Sequence, residues 1–134
     1  MQIQIGQKKI GNNYPTYFIA EIGVNHCGDV DLAKKMVLEA KKSGADAVKF
    51  QTFSADTLVS PNTPKVEYQK NTTSPKESHY DMLKSLELSK ENHLVLLEVC
   101  KKNKIQFLST PYDTESAKFL NSIGCDTFKT ASAD

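Results

Sequence analysis

The chain has 134 residues, of which 39% are hydrophobic and 25% charged, and its formal net charge is +1. That length and balance fit one ordinary globular domain. With no basic excess to neutralise phosphates, nucleic acid and anionic membrane surfaces are excluded as expected partners, and no apolar run approaches the ~20 residues that span a bilayer.

Residues 2 to 10 alternate polar and apolar around Gly6, with Ile3, Ile5 and Ile10 on the apolar positions. This predicts a short N-terminal hairpin, residues 1–14, and not a signal peptide. Tyr17 to Ile22 reads as a buried strand, followed by the loop Gly23-Val-Asn-His-Cys-Gly-Asp29. Asp29 is placed to cap a helix running to about Ser43, with Leu32, Ala33, Met36, Val37 and Ala40 on one face and Gly44 as its stop.

Residues 46 to 52 form the second strand, and strand alternation divides it sharply. Val48 and Phe50 face one way, while Ala47, Lys49 and Gln51 face the other. Residues 54 to 88 are a long detour, with Pro61, Pro64 and Pro75 and one short helical pattern (Tyr80, Met82, Leu83, Leu86). Connections in α/β units usually take about 2–6 residues, so this one reads as a partly ordered lid anchored by Tyr68 and Tyr80. A helix from the Ser89 cap to about Asn103 turns Leu96, Leu97, Val99 and Cys100 inward, with His79 and His93 expected to face solvent. A third strand follows at Ile105 to Ser109, then a helix between Asp113 and Gly124, then a fourth strand from Thr127 to Thr130.

The order β-α-β-α-β-α-β implies parallel strands. No Gly-x-Gly-x-x-Gly turn follows any strand, which argues against a dinucleotide-binding sheet. Each strand instead ends in a polar side chain: Glu21, then Lys49 and Gln51, then Thr110, then Lys129. Polar groups converging from strand ends are what a barrel active site requires. The expected fold is therefore α/β, the first half of a (β/α)8 barrel over residues 15–134. A whole barrel takes about 250 residues, so a longer polypeptide is expected.

Lys49 and Lys129 recur at equivalent points of two repeats. They read as point charges for phosphate or carboxylate or, if desolvated, as Schiff-base amines. Glu21 is placed either to pair with Lys49 or to work on substrate. Thr110 and Ser132 offer hydroxyls, although such residues before helices commonly serve as caps. Cys27, Cys100 and Cys125 lie too far apart for a metal motif, and an odd, sparse set reads as reduced thiols in a cytoplasmic protein. His26 beside Cys27 likewise lacks a second ligand pair.

Four stretches now stand together: Phe18-Ile-Ala-Glu-Ile-Gly-Val-Asn-His-Cys-Gly-Asp29, Ala47-Val-Lys-Phe-Gln-Thr52, Phe107-Leu-Ser-Thr-Pro-Tyr-Asp113 and Phe128-Lys-Thr-Ala-Ser-Ala-Asp134. In this order they resemble the sialic acid synthase family, which condenses phosphoenolpyruvate with an N-acyl amino sugar and releases phosphate. Lys65-Val-Glu-Tyr-Gln69 and the residues around His79 and Leu86 lean toward bacterial enzymes making legionaminic-type acids.

The resemblance implies that Lys49, Thr110, Lys129 and Ser132 hold phosphoenolpyruvate. It implies that Gln51 hydrogen-bonds the sugar, and that Glu21 and Asp134 are carboxylates near the reacting atoms. Cys27 departs from the family's Asn-His-Asn-Gly loop. A divalent metal (Mn or Mg) is implied on later histidines outside these residues, as are a C-terminal antifreeze-like domain and a homodimer. A Schiff-base aldolase is the competing activity; for this chain alone, a non-catalytic fragment is the other reading.

Overall fold

The computed structural model describes residues 2–60, 63–64 and 77–132. Expectations on Tyr68, Pro61, Pro75, the Lys65–Gln69 stretch and Asp134 lie outside the described residues. β1 (Gln2–Ile5) and β2 (Lys8–Gly11) pair antiparallel, Gln2 opposite Gly11. Asp46 ties this hairpin to the body: its carboxylate pairs with Lys8 and accepts from the Phe18 backbone N–H at 2.7 Å.

β3 (Ile19–Gly23), β4 (Ala47–Thr52) and β5 (Gln106–Pro111) form a parallel sheet in sequential order. β4 and β5 pair from Ala47 with Gln106 to Thr52 with Pro111; β3 pairs with β4 through Glu21 and Lys49, and the register slips at Gly23. β3 starts two residues later than the apolar run from Tyr17 suggests, because the Phe18 backbone is engaged by Asp46.

The helices follow their local signals. In α1 (Val30–Lys42) the Asp29 carboxylate accepts from the N–H groups of Asp31 and Leu32 at 2.7 and 3.1 Å. That satisfies orphan donors at the positive end of the helix dipole. α4 (Lys90–Lys102) is capped by Ser89, and α5 (Thr114–Ser122) by Asp113, whose carboxylate accepts from Ser116 N at 2.7 Å. Ala33 and Val37 of α1, Leu96 and Cys100 of α4 and Leu120 of α5 share one core with Val48, Phe50 and Phe107. Phe50 stacks on Phe107 with ring centroids 5.4 Å apart. Burial of each Val, Leu and Phe side chain among them contributes about 1.5–3 kcal/mol. All three long helices thus pack on one face of the sheet, and the face of Lys49, Gln51, Leu108 and Thr110 is the other.

Among the described residues the detour carries α2 (Ala55–Leu58) as well as the expected helix, α3 (His79–Leu86). Tyr80 and Lys84 of α3 both reach the Asp56 carboxylate of α2, and Glu87 accepts from Ala55 N at 3.1 Å. The detour is therefore strapped back across the carboxyl end of β4.

The fourth strand, expected at Thr127 to Thr130, is reduced to one parallel bridge between Ser109 and Phe128. Phe128, Lys129 and Thr130 are exposed, and among the described residues the Ser109–Phe128 bridge is the one strand pairing this stretch makes. His93 also departs from expectation. It is 1% exposed, because positions 93, 96, 97 and 100 make one buried stripe on α4.

Candidate functional site

β3, β4 and β5 bring Glu21, Lys49, Gln51 and Thr110 together at their carboxyl ends. Alternation sends Lys49 and Gln51 away from the helices, and the register sets Glu21 beside Lys49 and Thr110 beside Gln51. The Lys49 side chain is 15% exposed and pairs with the Glu21 carboxylate, itself 48% exposed. A half-buried ammonium is tolerated because the carboxylate compensates it.

Thr110 is 3% exposed, and among the described residues its Oγ1 has no hydrogen-bond partner. A buried hydroxyl left unsatisfied costs about 1–3 kcal/mol, so one retained among polar neighbours points to a ligand oxygen or donor. Ammonium, amide and hydroxyl on one sheet face suit a small anion carrying several oxygens.

Lys129 and Ser132 form a separate pair, Nζ to Oγ 2.9 Å, on the exposed segment after Phe128. Among the described residues no hydrogen bond or ion pair joins that pair to Lys49 or Glu21. The single Ser109–Phe128 bridge holds their segment against β5.

His26 is fully buried and ordered by its own loop. Its Nδ1 accepts from Gly28 N at 3.0 Å, and its ring lies 6.2 Å from that of Phe50. Burial first, and then the nearby His93, hold its pKa below the ordinary value. The turn carries Cys27 at φ 51° and Gly28 at φ 75°. The first is a left-handed conformation that Asn adopts more readily than Cys. Among the described residues no three His, Cys, Asp or Glu side chains cluster as a metal site. No described helix is long and apolar enough to cross a membrane.

A buried polar chain on the helix side was missed from the sequence. His93 Nε2 lies 2.8 Å from Thr52 Oγ1, which lies 2.7 Å from Ser109 Oγ, and His93 Nδ1 lies 2.8 Å from the Ser89 carbonyl. The signal existed: Thr52 continues the Val48–Phe50 face, and His93 continues the Leu96–Cys100 stripe. A cavity of about 280 Å³ adjoins this chain, lined by Thr52, Ser54, Lys90, His93, Asp113 and Phe119 among others. It lies on the face opposite Lys49.

These features define an α/β protein whose polar site sits at the carboxyl ends of parallel strands. The chain belongs to the NeuB family, which its residues 36–134 match. It is 50% identical over 129 residues to N,N'-diacetyllegionaminic acid synthase of Legionella pneumophila, covering 96% of this chain and 36% of that protein. It is 47% identical to the N,N'-diacetyllegionaminic acid synthase of Campylobacter jejuni, covering 89% of this chain and 36% of the relative. The N-acetylneuraminic acid synthetase of Leptospira borgpetersenii, solved with citrate, superposes with a TM-score of 0.83 at 34% identity, over 100% of this chain and 42% of that one. The chain thus spans about a third of the length of the curated relatives it matches.

Proposed function

We propose that this chain is the first half of a (β/α)8 barrel in a nonulosonic acid synthase. The enzyme joins phosphoenolpyruvate to an N-acyl mannosamine-type sugar and releases phosphate. Sequential parallel strands with all long helices on one face support the half-barrel, since a doubly wound sheet places helices on both faces. Two relatives that make a legionaminic acid support that branch of product. The activity is assigned to the polypeptide that carries this chain together with the rest of the barrel, acting as a homodimer.

The observation that carries the reading is the orphaned Thr110 hydroxyl beside Gln51, with Lys49 one alternation back on β4. In this reading Lys49 and Thr110 hold phosphoenolpyruvate, Gln51 orients the sugar, and Lys129 with Ser132 closes on the phosphate from the segment after β5. Carbon 3 of phosphoenolpyruvate bonds to the sugar's carbonyl carbon, water adds at carbon 2, and phosphate leaves. Fixed charge and positioning of the two substrates supply most of the rate. Glu21 and Asp134 are assigned the proton moved from the water or to the sugar oxygen. A divalent ion, Mn or Mg, would polarise the sugar carbonyl. The described residues offer no cluster that fits one.

Pairing with Glu21 makes Lys49 one half of an ion pair and not a free amine, which favours this reading over a Schiff-base aldolase. The test is phosphate release from phosphoenolpyruvate by the enzyme carrying this chain, with and without N-acyl amino sugars. Release is expected only with the sugar, and Lys49→Ala is expected to raise the KM for phosphoenolpyruvate tenfold or more, about 1.4 kcal/mol. Sugar-independent release, or an unaffected Lys49→Ala variant, refutes the assignment.

A further inference from the structure

We infer that His93 is a positioning residue for this site, acting through Thr52 and Ser109 from the opposite face of the sheet. The inference rests on the reading above, that Gln51 and Thr110 touch substrate.

The proton order in the chain follows from one group. The Ser89 carbonyl can only accept, so His93 Nδ1 carries the proton and donates to it across 2.8 Å. His93 Nε2 is then the acceptor and takes the Thr52 hydroxyl proton, and Thr52 Oγ1 in turn accepts from Ser109. Burial is the main force keeping the imidazole neutral, so this single tautomer persists. All three side chains are at most 5% exposed.

The chain of bonds lies at the end of the β4–β5 ladder, where Thr52 stands opposite Pro111 and its carbonyl accepts from Tyr112 N at 3.1 Å. Beyond β5, among the described residues, the sheet continues only through the Ser109–Phe128 bridge. The Thr52–Ser109 hydroxyl bond therefore clamps the ends of β4 and β5 together from the helix side. On the other face, the immediate neighbours of Thr52 and Ser109 are Gln51 and Thr110. The imidazole packs edge-on to Phe107 and Phe119, the 280 Å³ cavity adjoins it, and its two hydrogen bonds fix which way the ring nitrogens point.

Two substitutions separate this role from bulk structure. In His93→Gln the side-chain amide reaches the Nε2 position and can accept from Thr52. In His93→Asn the amide reaches only the Nδ1 position, which keeps the Ser89 bond and loses Thr52. Thr52→Val removes the middle link directly. The assay is steady-state kinetics of the enzyme carrying this chain, with unfolding midpoints for each variant and the His93 tautomer read by nitrogen NMR. The expected result is a protonated Nδ1, a His93→Gln variant within about threefold of wild type, and KM values for phosphoenolpyruvate and sugar raised about tenfold in His93→Asn and Thr52→Val. Unfolding midpoints of the Gln and Asn variants should match. Equal kinetics for Gln and Asn, or a proton on Nε2, overturns the inference. A wild-type enzyme with no phosphoenolpyruvate turnover instead overturns the function on which it rests.

Discussion

Replacing Thr110 with valine should change stability and function in opposite directions. The side chain is 3% exposed and its Oγ1 has no partner among the described residues, so the unliganded protein carries the desolvation cost of that hydroxyl. Valine keeps the branched shape and removes the polar atom. Relief of part of the ~1–3 kcal/mol for an unsatisfied buried hydroxyl predicts an unliganded Thr110→Val protein more stable by about 1 kcal/mol. The same hydroxyl, as a ligand contact, contributes about 1.5 kcal/mol or more to a charged phosphate or carboxylate, so phosphoenolpyruvate should bind roughly tenfold more weakly. Urea unfolding without ligand measures the first quantity, and titration calorimetry with phosphoenolpyruvate measures the second. A Thr110→Val protein that is less stable and binds phosphoenolpyruvate unchanged would show that the hydroxyl serves the fold and not the site.

Two further outcomes concern the loop after β3 and the buried imidazoles. Gly28→Ala should cost roughly 2 kcal/mol or more, because φ is +75° and the new Cβ would lie 2.3 Å from the Ser85 carbonyl oxygen of α3. Chemical denaturation measures it, and a loss under about 0.5 kcal/mol would mean the loop and α3 are not packed as described. Stability should also fall as pH drops below 6.5. His26 and His93 are both held below that ordinary value by burial, so the unfolded chain takes up protons there that the folded chain refuses. Above 6.5 both states are neutral and the stability is fully present; below it, each histidine lowers stability by up to about 1.4 kcal/mol per pH unit until its folded pKa is reached. Urea midpoints at pH 7.5, 6.5 and 5.5 read this directly, and a flat profile contradicts the burial of the two rings.

What the sequence determined by itself was local. Asp29, Ser89 and Asp113 cap their helices as read, because a cap and the N–H groups it satisfies lie within three residues of one another. The alternation from Ala47 to Thr52 sorted Lys49 and Gln51 from Val48 and Phe50, because the strand period is set by the backbone alone. The four motifs marked the family through residue identity, without any distance. Tertiary structure decided the rest. The pairing of Lys49 with Glu21 depends on a register between strands that a 13-residue helix separates. The buried bonds of His93 depend on Thr52, 41 residues from it, which in turn meets Ser109, 57 residues further along from Thr52. The loss of the strand at Thr127 to Thr130 has the same origin. Its pattern is that of a strand, but a strand needs a ladder on its flank, and among the described residues only one bridge is there. Local propensity is written along the chain; which groups meet across it is a property of packing, which no single stretch contains.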